Sequence, residues 1–314
     1  MMLNKILTSI ALMGVAISAH AAPYTILVPF APGGAADSFA RILAKELQTE
    51  LGDTVIVDSR PGAAGSVGAA YFAKLPKDSR TLFLGTISTH AINPYLYKEL
   101  NYDAKTDFQP LAQVLSVQNL LAVNAKSDIK SLSDLVAEGK NRPLTFGSPG
   151  TGSSAHLSAE TMVLDSPGMQ GTHVPFKGGN PSVTALLGGH VDFIFENISN
   201  VLPHIQSGAL RDLAVTSTQR AKELPNTPTM DEAGFKGYEV VSWFGLWLPK
   251  GADQAEQDKF SAALNKIYQK PEFVQKVEQT GAMPTLKTGT EFEQFVDSEQ
   301  TRWKSVLEKL NIQM

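Results

Sequence analysis

The sequence has no cysteine among its 314 residues. That absence removes disulfides, thiolate metal ligands and thiol nucleophiles together, so stability must come from a full-sized apolar core. A basic surplus is missing too: 27 lysines and arginines stand against 31 acids, a formal net charge of −4. Nucleic acids and anionic membrane surfaces are therefore not expected as partners. Histidines do not cluster. His90, His156, His173, His190 and His204 include no pair two to five residues apart, and no His-Glu-x-x-His occurs, so no metal site is indicated. No Gly-x-Ser-x-Gly elbow or Gly-Lys-Ser/Thr phosphate loop occurs either. Gly150-x-Gly152-x-x-Ala155 loosely satisfies a dinucleotide fingerprint, but the next strand runs into Lys177 and glycines where an acidic ribose ligand belongs. No cofactor is expected, and enzyme templates fail one after another.

Long apolar runs are also scarce. Ile6 to Ala19 is the exception; it is too short to span a bilayer and lies between Lys5 and the small-x-small site Ala19-His20-Ala21. Residues 1–21 read as a secretory signal peptide cut after Ala21, which makes the mature protein an exported one. The remaining residues, about 290, are enough for two packed lobes.

What is present is organised around Tyr24 to Leu47. Ile26, Leu27 and Val28 form a short buried strand ending at Pro29, and Pro32-Gly33-Gly34 is a turn. Phe39, Ile42, Leu43 and Leu47 then recur at helical spacing, with Asp37 or Ser38 as the expected cap. A strand, a glycine turn and a helix start leave several backbone N–H groups without partners, and the helix dipole adds partial positive charge there. Such an arrangement receives anions. The chain repeats it: Leu144 to Phe146 is a strand, Gly147 to Ser154 a loop, and Ala155 to Leu164 a helix.

Thr54 to Val57 and Thr81 to Leu84 are further strands, the latter followed by a polar loop from Gly85 to His90. Strands alternating with helices predict a parallel α/β sheet with ligands beyond the strands' carboxyl ends. Leu111 to Val123 and Val240 to Leu248 are long extended runs, read as two crossings between lobes. Ser131 caps a short helix, strands follow at His173 to Phe176, Val191 to Phe195 and Asp212 to Thr216, and the tail is helical over 254–268 and 291–310. The predicted division is residues 22–120 with 244–314 as one lobe and 121–243 as the other.

Single residues leave alternatives open. Asp37 either caps its helix or meets a cationic part of a ligand, and His156 either bonds within its own turn or sits beside the anion. His90 lies on the polar loop after a strand, where a ligand role is left open, and Trp243 is divided between stacking on a ligand and core or hinge packing.

Several motifs stand in order: Pro29-Phe30-x-Pro32-Gly33-Gly34-x-x-Asp37, Arg60-Pro61-Gly62-x-x-Gly65, Gly85-Thr86 and Thr89-His90-Ala91-Ile92-Asn93-Pro94. Gly147-Ser148-x-Gly150-x-Gly152-Ser153, Val174-Pro175-Phe176-Lys177-Gly178-Gly179, Leu186-Leu187-Gly188-Gly189-His190-Val191-Asp192 and Leu224-Pro225-x-x-Pro228-Thr229 follow. Together they resemble the Bug (TctC-like) periplasmic solute-binding proteins of tripartite tricarboxylate transporters, over essentially the whole mature chain. The resemblance implies an α/β, two-lobed, type II Venus-flytrap fold in the bacterial periplasm, and a monomer. It implies a small carboxylate or related metabolite as ligand and the transporter's membrane permease subunits as partners. The expected ligand contacts are Phe30, Ala31, Gly33, Gly34 and Asp37 on one arm and Ser148, Thr151, Gly152, Ser153, Ser154 and His156 on the other. Thr86, Ser88, Thr89 and His90 after the third strand, and Trp243 in the second crossing, complete the set. Ser88, Ala64 and Asn180 stand where relatives often have glycine, and Lys77-Asp78-Ser79-Arg80 replaces a more usual turn. A sensor module that presents its ligand to a membrane kinase is the second reading, and an exported enzyme acting on a small acid is the third.

Overall fold

The computed structural model describes residues 22–313, so the expected signal peptide lies outside the described residues. In chain order the elements are β1 (Tyr24–Val28), α1 (Ala35–Leu51), β2 (Val55–Ser59), α2 (Ser66–Phe72), β3 (Thr81–Thr86), α3 (Asn93–Leu96) and β4 (Phe108–Asn124). Next come α4 (Leu132–Asn141), β5 (Leu144–Ser148), α5 (Ser154–Leu164), β6 (Gly171–Pro175), α6 (Gly179–Leu187), β7 (Phe193–Asn197), α7 (Ile198–Gln206) and β8 (Leu210–Val215). The chain closes with β9 (Val241–Pro249), α8 (Gln254–Tyr268), α9 (Pro271–Glu278), β10 (Met283–Thr288) and α10 (Gly289–Leu310).

The strands hydrogen-bond in the order β2-β1-β3-β9-β4-β7-β5-β6, and β8 and β10 both pair with β4 off that path. Within the β2-β1-β3 and β7-β5-β6 groups the strands run parallel, as a βα alternation requires. The sheet is nevertheless mixed, not parallel, because β4 and β9 run antiparallel to their neighbours. These are the two extended crossings; β9 follows β8 with no helix between them, and it runs against both β3 and β4.

β4 holds the molecule together. Phe108 to Gln118 pair with β9, whereas Asn119 to Asn124 pair with β7 and β8. One 17-residue strand thus serves two groups of strands, with register shifts between Pro110 and Ala112 and between Gln113 and Leu115. Such bulges add twist, and Pro110, which has no N–H to give, sits at one of them.

Both faces of the sheet are covered. Along β1, Ile26 and Val28 join one apolar cluster with Phe39, Leu43 and Leu47 of α1 and Phe260 and Leu264 of α8. Leu27, pointing the other way, joins the second cluster with Phe72, Phe83, Phe146, Trp247 and Trp303. Burial on both faces explains why β1 reads as a continuous apolar run rather than an alternating one. The tail differs from expectation: α9 and β10 lie between the two expected helices, and β10 is an antiparallel partner of β4. α10 then packs Phe292, Trp303 and Leu307 into the second cluster, and Gln300 Nε2 donates to the His90 carbonyl at 2.8 Å. No helix among the described residues is long and apolar enough to cross a membrane.

Candidate functional site

Chain leaving the carboxyl ends of β1, β3, β5, β6 and β7 surrounds one cavity. After β1 come Phe30, Ala31 and Gly34, with Ala35 and Ala36 from the first turn of α1. Gly33 adopts φ +81°, which a side chain would resist, and its N–H donates to Asp37 Oδ2 at 2.9 Å. Arg41 donates to both oxygens of the same carboxylate, at 2.9 and 3.0 Å. Asp37 therefore fixes the loop from within and does not line the cavity. Neither Asp37 nor Ser38 caps the helix; the N-cap is Gly34, in extended backbone and without a side-chain acceptor. The first-turn N–H groups of α1 are consequently free to receive an anion.

The facing arm is built differently. Ser148 ends β5, and its hydroxyl donates to the Gly150 carbonyl and accepts from the Gly150 N–H, at 3.1 and 3.2 Å, shaping the loop. Ser153 is the N-cap of α5 and accepts from the His156 N–H at 3.1 Å. Pro149, Ser153, Ser154 and Ala155 reach the cavity; Ser148, Thr151, Gly152 and His156 do not. His156 accepts from the Gly152 N–H at 3.2 Å and stacks on His173, so it secures its own turn. Ser148 Oγ and His173 Nε2 lie 2.6 Å apart, a pairing that resembles a nucleophile and its base. Burial, with His156 alongside, pushes His173 down to about 3, so its ring is a poor base at neutral pH.

At the end of β3, Thr86 and Ser88 line the cavity, and Thr86 Oγ1 is buried without a hydrogen-bond partner. The expected polar loop after it is a wide π-helical turn over Ser88–Ile92. It turns Thr89 and His90 away from the cavity. Thr89 Oγ1 is bound to the Thr86 N–H and to His90 Nδ1, both at 2.9 Å. The His90 ring is fully buried and stacks 3.6 Å from Trp247, and burial pushes its pKa down to about 3. Trp243 is also a core residue: its indole donates to Glu299 Oε2 at 2.9 Å among Trp247, Phe292 and Phe295. Side chains alternate along a strand, so Ser242 and Phe244, one residue either way, are the β9 residues at the cavity.

Reasoning from the sequence missed a third wall. Glu196 and Asn197 end β7, Asn200 follows in the first turn of α7, and Gly179 begins α6. The signal was available, since these are polar residues just past a buried strand, but the expected strand was closed one residue short of them. Among the described residues lining the cavity, Glu196 is the one ionisable side chain and no lysine or arginine takes part. Its Oε1 accepts from the Asn197 N–H at 2.8 Å and Asn200 Nδ2 at 3.0 Å, while Oε2 is buried and unpartnered. Burial outweighs those two bonds and pushes the carboxyl up to about 7. Among the described residues no group of three or more His, Cys, Asp or Glu is placed to hold a metal ion.

Each arm also touches chain from the other expected lobe. Tyr97 Oη donates to the Thr151 carbonyl at 2.9 Å, and a Cβ on Gly178 would lie 3.0 Å from that of Ala31. Helix starts facing each other across a sheet that changes partners along one strand define a two-lobed α/β binding protein of the periplasmic type.

Comparison with known proteins agrees with that class. Residues 39–312 match the model of the tripartite tricarboxylate transporter family receptor, so the chain belongs to this family of solute-binding receptors, which are not enzymes. It is 36% identical over 290 residues to protein BugT of Bordetella pertussis, covering 91% of this chain and 89% of the relative. The structure of R. palustris Rpa4515 with adipate superposes with a TM-score of 0.89 at 33% identity, covering 93% of this chain and 98% of that one. MatC (Rpa3494) from Rhodopseudomonas palustris with bound malate superposes with a TM-score of 0.83 at 28% identity, covering 91% and 98%.

Proposed function

We propose that this protein is a periplasmic receptor that captures a small carboxylate between its lobes and delivers it to the permease subunits of a tripartite transporter. One observation carries the reading: helix starts from both arms converge on a cavity lined by backbone donors, Thr86, Ser88, Ser153 and Ser154, with no basic side chain. Charge-assisted hydrogen bonds contribute about 1.5–3 kcal/mol each, and micromolar affinity needs about 8 kcal/mol. Four or five such bonds therefore suffice, after a share is lost to ordering. Adipate in one relative and malate in another support the ligand class. In this reading residues 22–120 with 244–314 form one lobe and 121–243 the other, and Phe30, Ala31, Gly34, Thr86, Ser88, Ser153 and Ser154 contact the ligand. Gly33, Asp37, Ser148 and Gly152 shape the arms. Export follows cleavage after Ala21. Native mass spectrometry of protein purified from its own host, followed by calorimetry with the released compound, tests the proposal. A co-purified carboxylate is the expected result; a cationic or neutral compound overturns the ligand class.

A further inference from the structure

Glu196 is anomalous in an anion receptor. It is 1% exposed, lines the cavity, and adds a carboxyl group where the ligand's own carboxylates are to sit. Its two oxygens are not equivalent. Oε1 takes two N–H donors, whereas Oε2 is buried without any partner. Gly179 makes room for this arrangement, since a Cβ there would lie 3.0 Å from Glu196 Oε1 and 2.1 Å from Asn200 Nδ2.

We propose that Glu196 acts as a carboxylic acid whose Oε2–H donates a hydrogen bond to a ligand carboxylate, so that binding a dicarboxylate takes up one proton at that atom. This rests on the carboxylate reading above and adds how the far end of the ligand is recognised. With the Oε1 lone pairs engaged, the proton has one place left, on Oε2, which has no partner within the protein. The elements packed around Glu196 bring no opposite charge: the end of β7 presents the Asn197 backbone N–H, α7 presents the Asn200 side-chain amide, α6 presents Gly179, and β4 presents Leu120 opposite it. An ionised Glu196 is therefore uncompensated, and a dianion arriving beside it favours the neutral form further. Burial already holds the carboxyl near 7 before any ligand enters. Above that pH the proton must come from solvent, which links affinity to pH.

The test uses the mature protein, a panel of aliphatic mono-, di- and tricarboxylates that includes adipate and malate, and calorimetry in buffers of different ionisation enthalpy. At pH 8 a bound dicarboxylate is expected to take up close to one proton, and affinity to fall about tenfold per pH unit above about 7. Glu196→Gln keeps a donor at the cavity and the acceptor for Asn197 and Asn200. It is expected to take up no proton, to bind independently of pH, and to bind about tenfold more tightly than the unmodified protein at pH 8. Infrared spectra of the ligand-free protein are expected to show a carboxylic C=O band that fades as pH rises through about 7 and is missing in the variant. Dicarboxylate binding without proton uptake at pH 8, or no such band at pH 5.5, overturns this proposal and leaves the carboxylate reading standing. Tenfold or greater loss in the variant at pH 6 also overturns it, because Glu196 then accepts from a ligand donor. If no acid of the panel binds, the carboxylate reading fails and this proposal fails with it.

Discussion

Replacing Gly34 by aspartate should strengthen the fold slightly and weaken binding strongly. Gly34 has φ −80° and ψ 177°, backbone that any residue adopts, and an added Cβ meets nothing closer than the Ala31 carbonyl at 3.8 Å. An aspartate there is a good N-cap, contributing a few tenths of a kcal/mol over glycine. The same carboxylate, however, takes the N–H groups of α1 that are to receive the ligand, and repels the ligand's charge. Losing one or two charge-assisted bonds costs about 2–4 kcal/mol, a factor of roughly 30 to 1,000 in affinity. Gly34→Asn has the same shape without the charge and should lose less, which separates repulsion from crowding. Gly152, which looks equivalent by sequence, is unsuitable for this test. Its φ is +89°, and a Cβ would lie 2.5 Å from Asn93 Oδ1, so a side chain damages the fold instead of the site. Calorimetry with the co-purified acid, alongside melting temperatures, decides the matter. If Gly34→Asp stays folded and binds within threefold of the unmodified protein, α1 does not receive the ligand.

Three further outcomes follow from buried groups. Because burial lowers His90 from 6.5 to about 3, the stability its neutral ring confers is complete above pH 6.5 and is lost as pH falls toward 3. That loss reaches about 5 kcal/mol, and urea midpoints against pH should flatten over this window in His90→Phe. Glu196 behaves oppositely: its folded value lies above 4.5, so stability is complete below 4.5 and falls until about pH 7. Glu196→Gln should therefore raise the unfolding free energy at pH 8 by up to about 3 kcal/mol, and an unchanged denaturation midpoint would contradict this. Glu299 Oε2 accepts from the indoles of both Trp243 and Trp303, at 2.9 and 3.3 Å. Glu299→Leu should cost about 2–5 kcal/mol by orphaning two buried N–H groups, and Glu299→Gln less; equal stability of the two would refute the pairing.

Local order was legible because it is written locally. The apolar run of β1, the glycine turn after it and the helical spacing of Phe39, Leu43 and Leu47 lie within one short stretch, as do β5 and α5. These two units and the strands after them gave the α/β class and the two helix starts, and the motifs spread from Pro29 to Thr229 gave the family. Ser131 at the start of α4 was equally plain, a cap read from its own neighbours. Only the tertiary structure decided which side of an element faces the ligand. Shifting by one residue along β9 exchanges Trp243, bonded to Glu299 in the core, for Ser242 and Phe244 at the cavity. The π-helical turn after β3 likewise carries His90 onto Trp247, a partner more than 150 residues away. Sheet direction was decided the same way, since β4 is assigned its antiparallel partners only when distant strands meet it. Glu196 is the clearest case. Its residue type is visible in the sequence, but its burial and its unpartnered oxygen are created by α6, α7 and β4 closing around it. Pairings between distant residues depend on how the whole chain packs, and no short window of sequence contains them.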